Sequence, residues 1–425
     1  LGVRRPLSHT LFGKGYSNNN LKRGIIMRRV FILGLIAGFV CLGLGSTAWA
    51  KPIKVGAVIN LTGPSSSWGQ YHAKGHKDYF RYVNEVKGGV AGNEIEMILI
   101  DHAYKVPEGV AAVKRLVTRD RVDMIATWDA GTGISVKPII KQYKTPTINY
   151  SVPWEALMPP IDYFYLPYGS YRLDVYAVLE YIRTIHTGKE APKVALLTYN
   201  NAYGRTIHKP SKEYADEHAI NIVDIEEFPS SAIDLTTQLL RAKEAGAEYI
   251  FLQILPATII TALKSADRIG WDPPFLSTWT VTDPDFFPMG KGLIRDRLTM
   301  QFCGCLPGDG TAGMKLLETL WDRYKTVNAF EQSYWEGVVI ASIMERAFQR
   351  AHEKFGKIDS ESVNKALETF RDEDFGGLMP NVTYTEDNHE GSFNGRIVKV
   401  HEDNEYIPLT TFFTPGKEGI KLLKR

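Results

Sequence analysis

From Lys51 to about residue 277 the sequence alternates short β-branched apolar runs with amphipathic stretches, and it does so twice. The first set reads as strand 53–59, helix 70–86, strand 94–100, helix 107–119, strand 123–126, helix 135–143 and strand 146–149. After Ser170 the rhythm restarts with helix 175–186, strand 193–198, helix 205–217, strand 220–228 and helix 235–245. Strand 249–252, helix 257–268 and strand 274–277 close that set. Runs such as Lys193-Val194-Ala195-Leu196-Leu197-Thr198 show no polar alternation, so their strands are buried on both faces, as in parallel sheets covered by helices. Two such sets predict two α/β domains. Helices at 313–327, 334–352 and 360–370 and short strands at 382–385, 396–400 and 406–409 do not make a third parallel set. They are expected to complete the first two domains.

The N-terminal region reads differently. Met27-Arg28-Arg29 precedes an apolar run from Val30 to Leu44 and the small-residue end Ser46-Thr47-Ala48-Trp49-Ala50. That order predicts a secretory signal peptide over 27–50, cleaved after Ala50. A retained membrane anchor is the rival, but it needs about 20 apolar residues, and this run is broken by Gly34, Gly38 and Gly43. A lipoprotein site at Cys41 is disfavoured by the bulky Phe39 and Val40 before it. Residues 1–26 are expected to be an unstructured upstream segment.

Residues 1–50 hold seven basic residues and no acid, which leaves 43 basic against 48 acidic residues, about −5, in 51–425. A mildly acidic body lacks the electrostatic footprint of a nucleic-acid binder. Only Cys303 and Cys305 remain after the leader. Two cysteines make neither a disulfide framework nor a zinc site, and they read as small apolar residues at a strand end.

In open parallel sheets ligands sit beyond the carboxyl ends of the strands. The loops there are 60–69 (Asn-Leu-Thr-Gly-Pro-Ser-Ser-Ser-Trp-Gly), 127–133 (Thr-Trp-Asp-Ala-Gly-Thr-Gly) and 150–154 (Tyr-Ser-Val-Pro-Trp) in the first set. The second set offers 199–204 (Tyr-Asn-Asn-Ala-Tyr-Gly), 253–255 (Gln-Ile-Leu) and 278–280 (Thr-Trp-Thr). They hold one acid, Asp129, and no His, Cys, Lys or Arg. Such loops suit a small, partly apolar molecule oriented by hydroxyls and backbone amides. The turn Gly131-Thr132-Gly133 before helix 135–143 is expected to take an anion such as a carboxylate.

Catalytic patterns are missing: no strand leads into G-x-S-x-G, a P-loop or G-x-G-x-x-G. His72 and His76 stand four apart without the glutamate of a metalloprotease helix,, and they read as solvated surface residues. No cofactor or metal is implied. Trp271, Trp321 and Trp335 fit ordinary core packing, whereas Trp68, Trp128, Trp154 and Trp279 share the strand-end placement. Glu244, Asp372-Glu373-Asp374 and 421–425 read as solvated charge.

The stretch Ile53-Lys54-Val55-Gly56, Leu61-Thr62-Gly63-Pro64, Trp68-Gly69, Gly75, then Asn84-Glu85-Val86-Lys87-Gly88-Gly89-Val90 and Gly92 resembles the opening of the leucine/isoleucine/valine-binding proteins. These are exported solute receptors of ABC importers. The resemblance continues through Asp101, Tyr203-Gly204 and 266–270, and covers essentially all of 51–425. It implies a type I periplasmic-binding fold: two Rossmann-like lobes joined by a hinge of three crossovers, near 167–170, 300–303 and 384–389. On that template lobe 1 is 51–168 plus 302–385, and lobe 2 is 169–301 plus 386–425. Trp68 matches a cleft tryptophan, Tyr203 a tyrosine at the lobe interface, and Thr132 falls in the turn that meets the ligand carboxylate.

The chain departs from that pattern at four places. Ala130 replaces the serine expected for the carboxylate, Pro153 a threonine, and Ile254 a cleft tyrosine. Trp279 stands where the family carries the acid that binds the ligand ammonium. A buried ammonium without a carboxylate is costly, and an indole face returns only about 0.5–2 kcal/mol. These departures turn the expected ligand toward a small apolar or aromatic carboxylate, or an amide, beside the family's branched-chain amino acids. The expected ligand contacts are Trp68, Gly131, Thr132, Ser151, Tyr203 and Trp279, with Tyr150, Trp154 and Gln253 beside them. The expected protein is a periplasmic, monomeric, non-enzymatic receptor that hands its ligand to the membrane permease of an ABC importer. A sensor feeding a signalling partner is the alternative; an exported hydrolase would need a nucleophile and base that the loops lack.

Overall fold

The structure, a computed structural model, describes residues 51–150, 154–158, 161–279, 281, 285–416 and 420–423. The expected leader, the upstream segment and Ser151 lie outside the described residues. The first elements are β1 (Ile53–Ile59), α1 (Ser66–Lys87), β2 (Ile95–Asp101), α2 (Val106–Arg115), β3 (Met124–Thr127), α3 (Ala130–Tyr143), β4 (Thr147–Asn149) and β5 (Phe164–Tyr165). Next come α4 (Tyr171–Ile185), β6 (Lys193–Tyr199), α5 (His208–His218), β7 (Asn221–Phe228), α6 (Thr236–Glu244), β8 (Tyr249–Gln253), α7 (Pro256–Arg268), β9 (Phe275–Ser277), α8 (Phe286–Gly290) and β10 (Leu298–Phe302). The chain ends with α9 (Ala312–Tyr324), α10 (Gln332–Phe355), α11 (Ser360–Leu367), β11 (Arg396–His401) and β12 (Glu405–Pro408).

Two sheets result, each with its own helices. The first has the order β2-β1-β3-β4-β5 and is parallel throughout. The second has the order β12-β11-β10-β9-β8-β6-β7. It is parallel from β7 to β10 and antiparallel where β11 and β12 extend it. The uninterrupted apolar strands are the buried ones: every residue of β8 is buried, and β1 is buried but for Lys54. Among the described residues no helix is long and apolar enough to cross a membrane.

β10 and the two-residue β5 were not anticipated. β10 reads Leu-Thr-Met-Gln-Phe, an apolar–polar alternation with the period of a strand rather than the uninterrupted apolar run of its neighbours, and β9 and β11 pair with it on both sides. Cys303 and Cys305 follow it as free, buried thiols, in keeping with their reading as small apolar residues.

The last helices return to the first sheet. Ser360 Oγ donates to the Val122 carbonyl at 3.3 Å and Tyr165 Oη to Asn364 Oδ1 at 2.8 Å. α10 lies along α1, where Tyr79 Oη donates to Glu345 at 2.6 Å and Lys87 Nζ reaches the same carboxylate at 2.8 Å. The chain also passes beside itself: Leu166 N–H donates to His389 O at 3.0 Å, and Gly391 N–H to Leu166 O at 3.1 Å. Tyr168, Gly169, Gln301, Cys303, Ser392 and Gly395, from three separate segments, border one small cavity.

The α1–α10 contact corrects two expectations. His72 and His76 are not solvated: α10 covers them, leaving 1% and 0% exposed. Glu373 is likewise buried rather than solvated, where Arg346 and Arg350 pair with it. The helices approach backbone to backbone at Gly75 and Gly337. A Cβ at Gly75 would lie 2.2 Å from Tyr334 O, and one at Gly337 2.1 Å from His72 O. A helical Gly→Ala change ordinarily stabilises by about 1 kcal/mol, but here the added methyl overpacks a backbone contact, which costs about 1–3 kcal/mol. Gly75→Ala is therefore expected to lower the urea-unfolding free energy by up to about 2 kcal/mol, and a stabilised variant would contradict the close approach.

Candidate functional site

The carboxyl ends of both sheets face one cavity. Tyr104 comes from the loop after β2, Trp128, Asp129 and Ala130 from the end of β3, and Tyr150 from the end of β4. Opposite them stand Tyr203 after β6, Leu255 after β8, and Tyr171 at the start of α4. The space left between these side chains is about 20 Å³, room for roughly one water and far below the roughly 300–1,000 Å³ of typical ligand pockets, so the two walls stand almost closed on each other. Five of the eight lining residues are aromatic.

Tyr150 is the centre of that wall. Its ring stacks on Trp128 at 5.9 Å and meets Trp68 edge-on at 6.3 Å and Trp279 edge-on at 4.3 Å. Trp68 and Trp279 are each 1% exposed and sit behind the cavity wall. Each indole is pinned by a buried acid: Trp68 Nε1 donates to Glu336 Oε2 at 3.2 Å, and Trp279 Nε1 to Asp174 Oδ2 at 3.0 Å. Tyr168 Oη also donates to Glu336, at 3.2 Å. Burial pushes both carboxyls well above the usual range, against the opposing effect of the indole and phenol donors.

The local sequence explains where Trp68 goes. Asp101 at the end of β2 accepts from Leu61 N–H at 2.9 Å and from Thr62 Oγ1 at 2.6 Å. This fixes the loop that launches α1. Behind Trp68, His72 Nδ1 lies 3.4 Å from Glu336, and the Nε2 atoms of His72 and His76 are 3.1 Å apart. Burial holds both imidazoles neutral, with the neighbouring His76 adding to the effect on His72, and pushes His76 down to about 3.

The turn at 131–133 is not the loop the sequence suggested. α3 begins at Ala130, with Asp129 as its cap: Asp129 Oδ1 accepts the Thr132 N–H at 2.8 Å. Gly131 and Gly133 serve close packing, since a Cβ would fall 2.7 Å from Val106 Cγ2 and 2.5 Å from Asn149 Nδ2, respectively. The Thr132 hydroxyl faces Gly109 of α2. Asp129 Oδ2 lies 2.7 Å from His102 Nε2. Burial alone would raise this carboxyl, but the bonds from His102 and Thr132 outweigh it and hold Asp129 below its ordinary value.

Of the expected contacts, then, Tyr150 and Tyr203 line the cavity, and Trp68 and Trp279 support Tyr150 from behind. Gly131 and Thr132 form the first turn of α3 outside the lining set. Gln253 is buried between Thr206 and Thr278, with its Nε2 donating to one at 3.1 Å and its Oε1 accepting from the other at 2.7 Å. Trp154 stands apart, in a different depression beside Arg172 and Lys209. Tyr104, Tyr171 and Leu255 were not anticipated. Tyr104 and Leu255 follow strand ends and were findable by that rule; Tyr171 opens a helix and was not.

A family model described as periplasmic binding protein matches residues 52–405. Leu/Ile/Val-binding protein homolog 7 of Brucella suis biovar 1 is 22% identical over 236 residues, 54% of this chain and 59% of that relative. The chain thus spans under two thirds of that relative's length. The leucine-, isoleucine-, valine-, threonine-, and alanine-binding protein of Pseudomonas aeruginosa is 22% identical over 390 residues, 89% of this chain and 96% of the relative. The structure of a branched chain amino acid ABC transporter from Thermus thermophilus with bound valine aligns with a TM-score of 0.79 and 26% identity, covering 86% of this chain and 97% of that one. A fatty acid ABC transporter substrate-binding protein from Thermomonospora curvata shares the fold, at a TM-score of 0.78 and 19% identity over 88% and 95% of the two chains.

The buried histidine pair gives the site region a pH signature. Because the folded-state value of His76 lies near 3 and the unfolded one near 6.5, its contribution is complete above pH ~6.5 and is lost as pH falls toward 3. His76→Gln removes that titration. Its unfolding free energy, measured in urea from pH 7 to pH 4, is expected to fall less steeply than the wild type's by up to about 1.4 kcal/mol per pH unit.

Proposed function

The chain belongs to the periplasmic binding protein family, and from that premise we propose that it is the exported solute-binding receptor of an ABC importer. Two lobes, 51–168 plus 302–385 and 169–301 plus 386–425, rotate about three crossovers and close on one small guest. The observation that carries this reading is a cavity at the carboxyl ends of the strands, walled by residues from both sheets. A guest held there leaves its covalent bonds intact, because the residues around it offer aromatic surface and one capped acid rather than a nucleophile and base. The monomeric receptor then delivers the guest to the membrane permease.

The walls favour a small guest with an apolar or aromatic body, the expectation that the sequence raised as an apolar or aromatic carboxylate or a branched-chain amino acid-like molecule. Walls standing this close together suit a small guest better than a long acyl chain. Closure also gains contacts that the open lobes lack. Tyr150 meets Trp279 across the cleft, and Lys209 of the second lobe approaches Glu155 at 3.5 Å and the Trp154 ring at 4.9 Å. The surface ion pair is worth about 0–1 kcal/mol, so the buried aromatic contact contributes the larger part.

The test is a thermal-shift screen of branched-chain and aromatic amino acids, amides and acids, followed by small-angle scattering. A binding guest is expected to raise Tm and shrink the radius of gyration together. Tyr203→Ala is expected to weaken that guest at least tenfold, about 1.4 kcal/mol, with the fold retained. Binding without compaction, or an unaffected Tyr203→Ala, would overturn the reading.

A further inference from the structure

Among the described residues the cavity has one charged wall group, and its place is informative. Asp129 is 9% exposed, lines the cavity, and occupies the N-terminus of α3 that the sequence had assigned to the guest's carboxylate. Among the described residues no Lys or Arg lines the space. His102 Nε2 makes its bond to Asp129 while Nδ1 has none, so a single ring N–H suffices for the contact. A guest carboxylate at this helix end would meet like charge in a site poor in water, where such repulsion is strong.

The rest of the wall asks for the opposite partner. Trp128 Nε1 and Tyr150 Oη are buried without a hydrogen-bond partner, on side chains that are 4% and 2% exposed. An indole N–H can only donate, and leaving it unmatched when the cleft closes is costly. The wall therefore presents an acceptor at Asp129 and unfilled donors at Trp128 and Tyr150.

We propose that Asp129 selects a guest whose polar head joins an N–H donor to an oxygen acceptor, as an amide or an amino acid does, and rejects acids that lack the nitrogen. The N–H group faces Asp129, the oxygen takes the Trp128 and Tyr150 donors, and Tyr104, Tyr171 and Tyr203 cover the body. A cationic nitrogen gains further from the aromatic faces. This inference rests on the receptor reading above and assigns the orientation of the guest within it.

Calorimetric titration of 3-phenylpropanamide, phenylalanine and 3-phenylpropanoate, and of 4-methylpentanamide, leucine and 4-methylpentanoate, tests it. At least one nitrogen-bearing probe is expected to bind tenfold or more tighter than its matched acid; which one distinguishes amide from amino acid. Asp129→Asn keeps the helix cap, since Asn caps as well as Asp, and is expected to shrink that ratio at least tenfold. Trp128→Phe keeps the ring, removes the donor, and is expected to weaken the same probe about threefold to tenfold. An acid that binds as tightly as its nitrogen-bearing partners, or a ratio unchanged in Asp129→Asn, overturns the role of Asp129. If that acid also compacts the protein in scattering, the receptor reading survives. Absence of binding and compaction with all six probes overturns both.

Discussion

The cleft depends on two indoles gripping one tyrosine. Trp68 arrives from α1, Trp279 from the end of β9, and Tyr150 from the end of β4, so three distant segments fix one ring. Each indole nitrogen is tied to an acid on yet another element, Glu336 on α10 and Asp174 on α4. Burying an acid is expensive, and burial raises both carboxyls. What the arrangement gains is orientation. An indole held by a hydrogen bond to a buried acid is already oriented when the cleft closes, which lowers the entropic cost of binding. The same logic explains why α10, though it follows β10 in sequence, must return to the first sheet: without it Trp68 loses its acceptor.

Periodicity made the architecture legible. β1 was placed to the residue, and the alternation of strands and helices in both sets was recovered with shifts of a few residues at most of the ends. The failures share a cause. α3 starts five residues earlier than expected because Asp129 caps it; two glycines in four residues suggested a loop, but they are there for tight packing against Val106 and Asn149. β10 carries the strand period of two, with Leu298, Met300 and Phe302 alternating with Thr299 and Gln301, and it was missed because the other strands stand out as unbroken apolar runs. His72 and His76 look solvated because what buries them is more than 250 residues away, at Gly337, and no local pattern announces that contact.

The site was legible in part, for the same reason. Reading the residues after each strand led to Tyr150 and Tyr203 and to the tryptophans that support the wall. It did not tell a side chain that faces the cavity from one that stands behind it. Trp68 and Trp279 carry the same strand-end signature as Trp128, yet their nitrogens are spent on Glu336 and Asp174 while that of Trp128 has no partner. Thr132 and Gln253 show the same limit. A hydroxyl or amide at a strand end looks like a ligand contact until its other neighbours are known, and here those neighbours are protein.

Two departures from the family resemblance become one when placed in space. The acid expected in the second lobe is Trp279, and an acid stands instead at the helix terminus of the first lobe, where the resemblance leads one to expect the ligand's carboxylate. The negative charge has changed sides of the cleft. On the proposed orientation, the first lobe would hold the polar end of a guest, and the second would bring mostly rings: Tyr171, Tyr203 and, behind them, Trp279. Closure then draws its free energy from apolar surface leaving water, about 25 cal/mol per Å², with little from a charge pair formed across the gap. A lobe that closes by covering can accept variation in the body of the guest while the first lobe reads its head, and this division of labour follows from moving a single carboxylate.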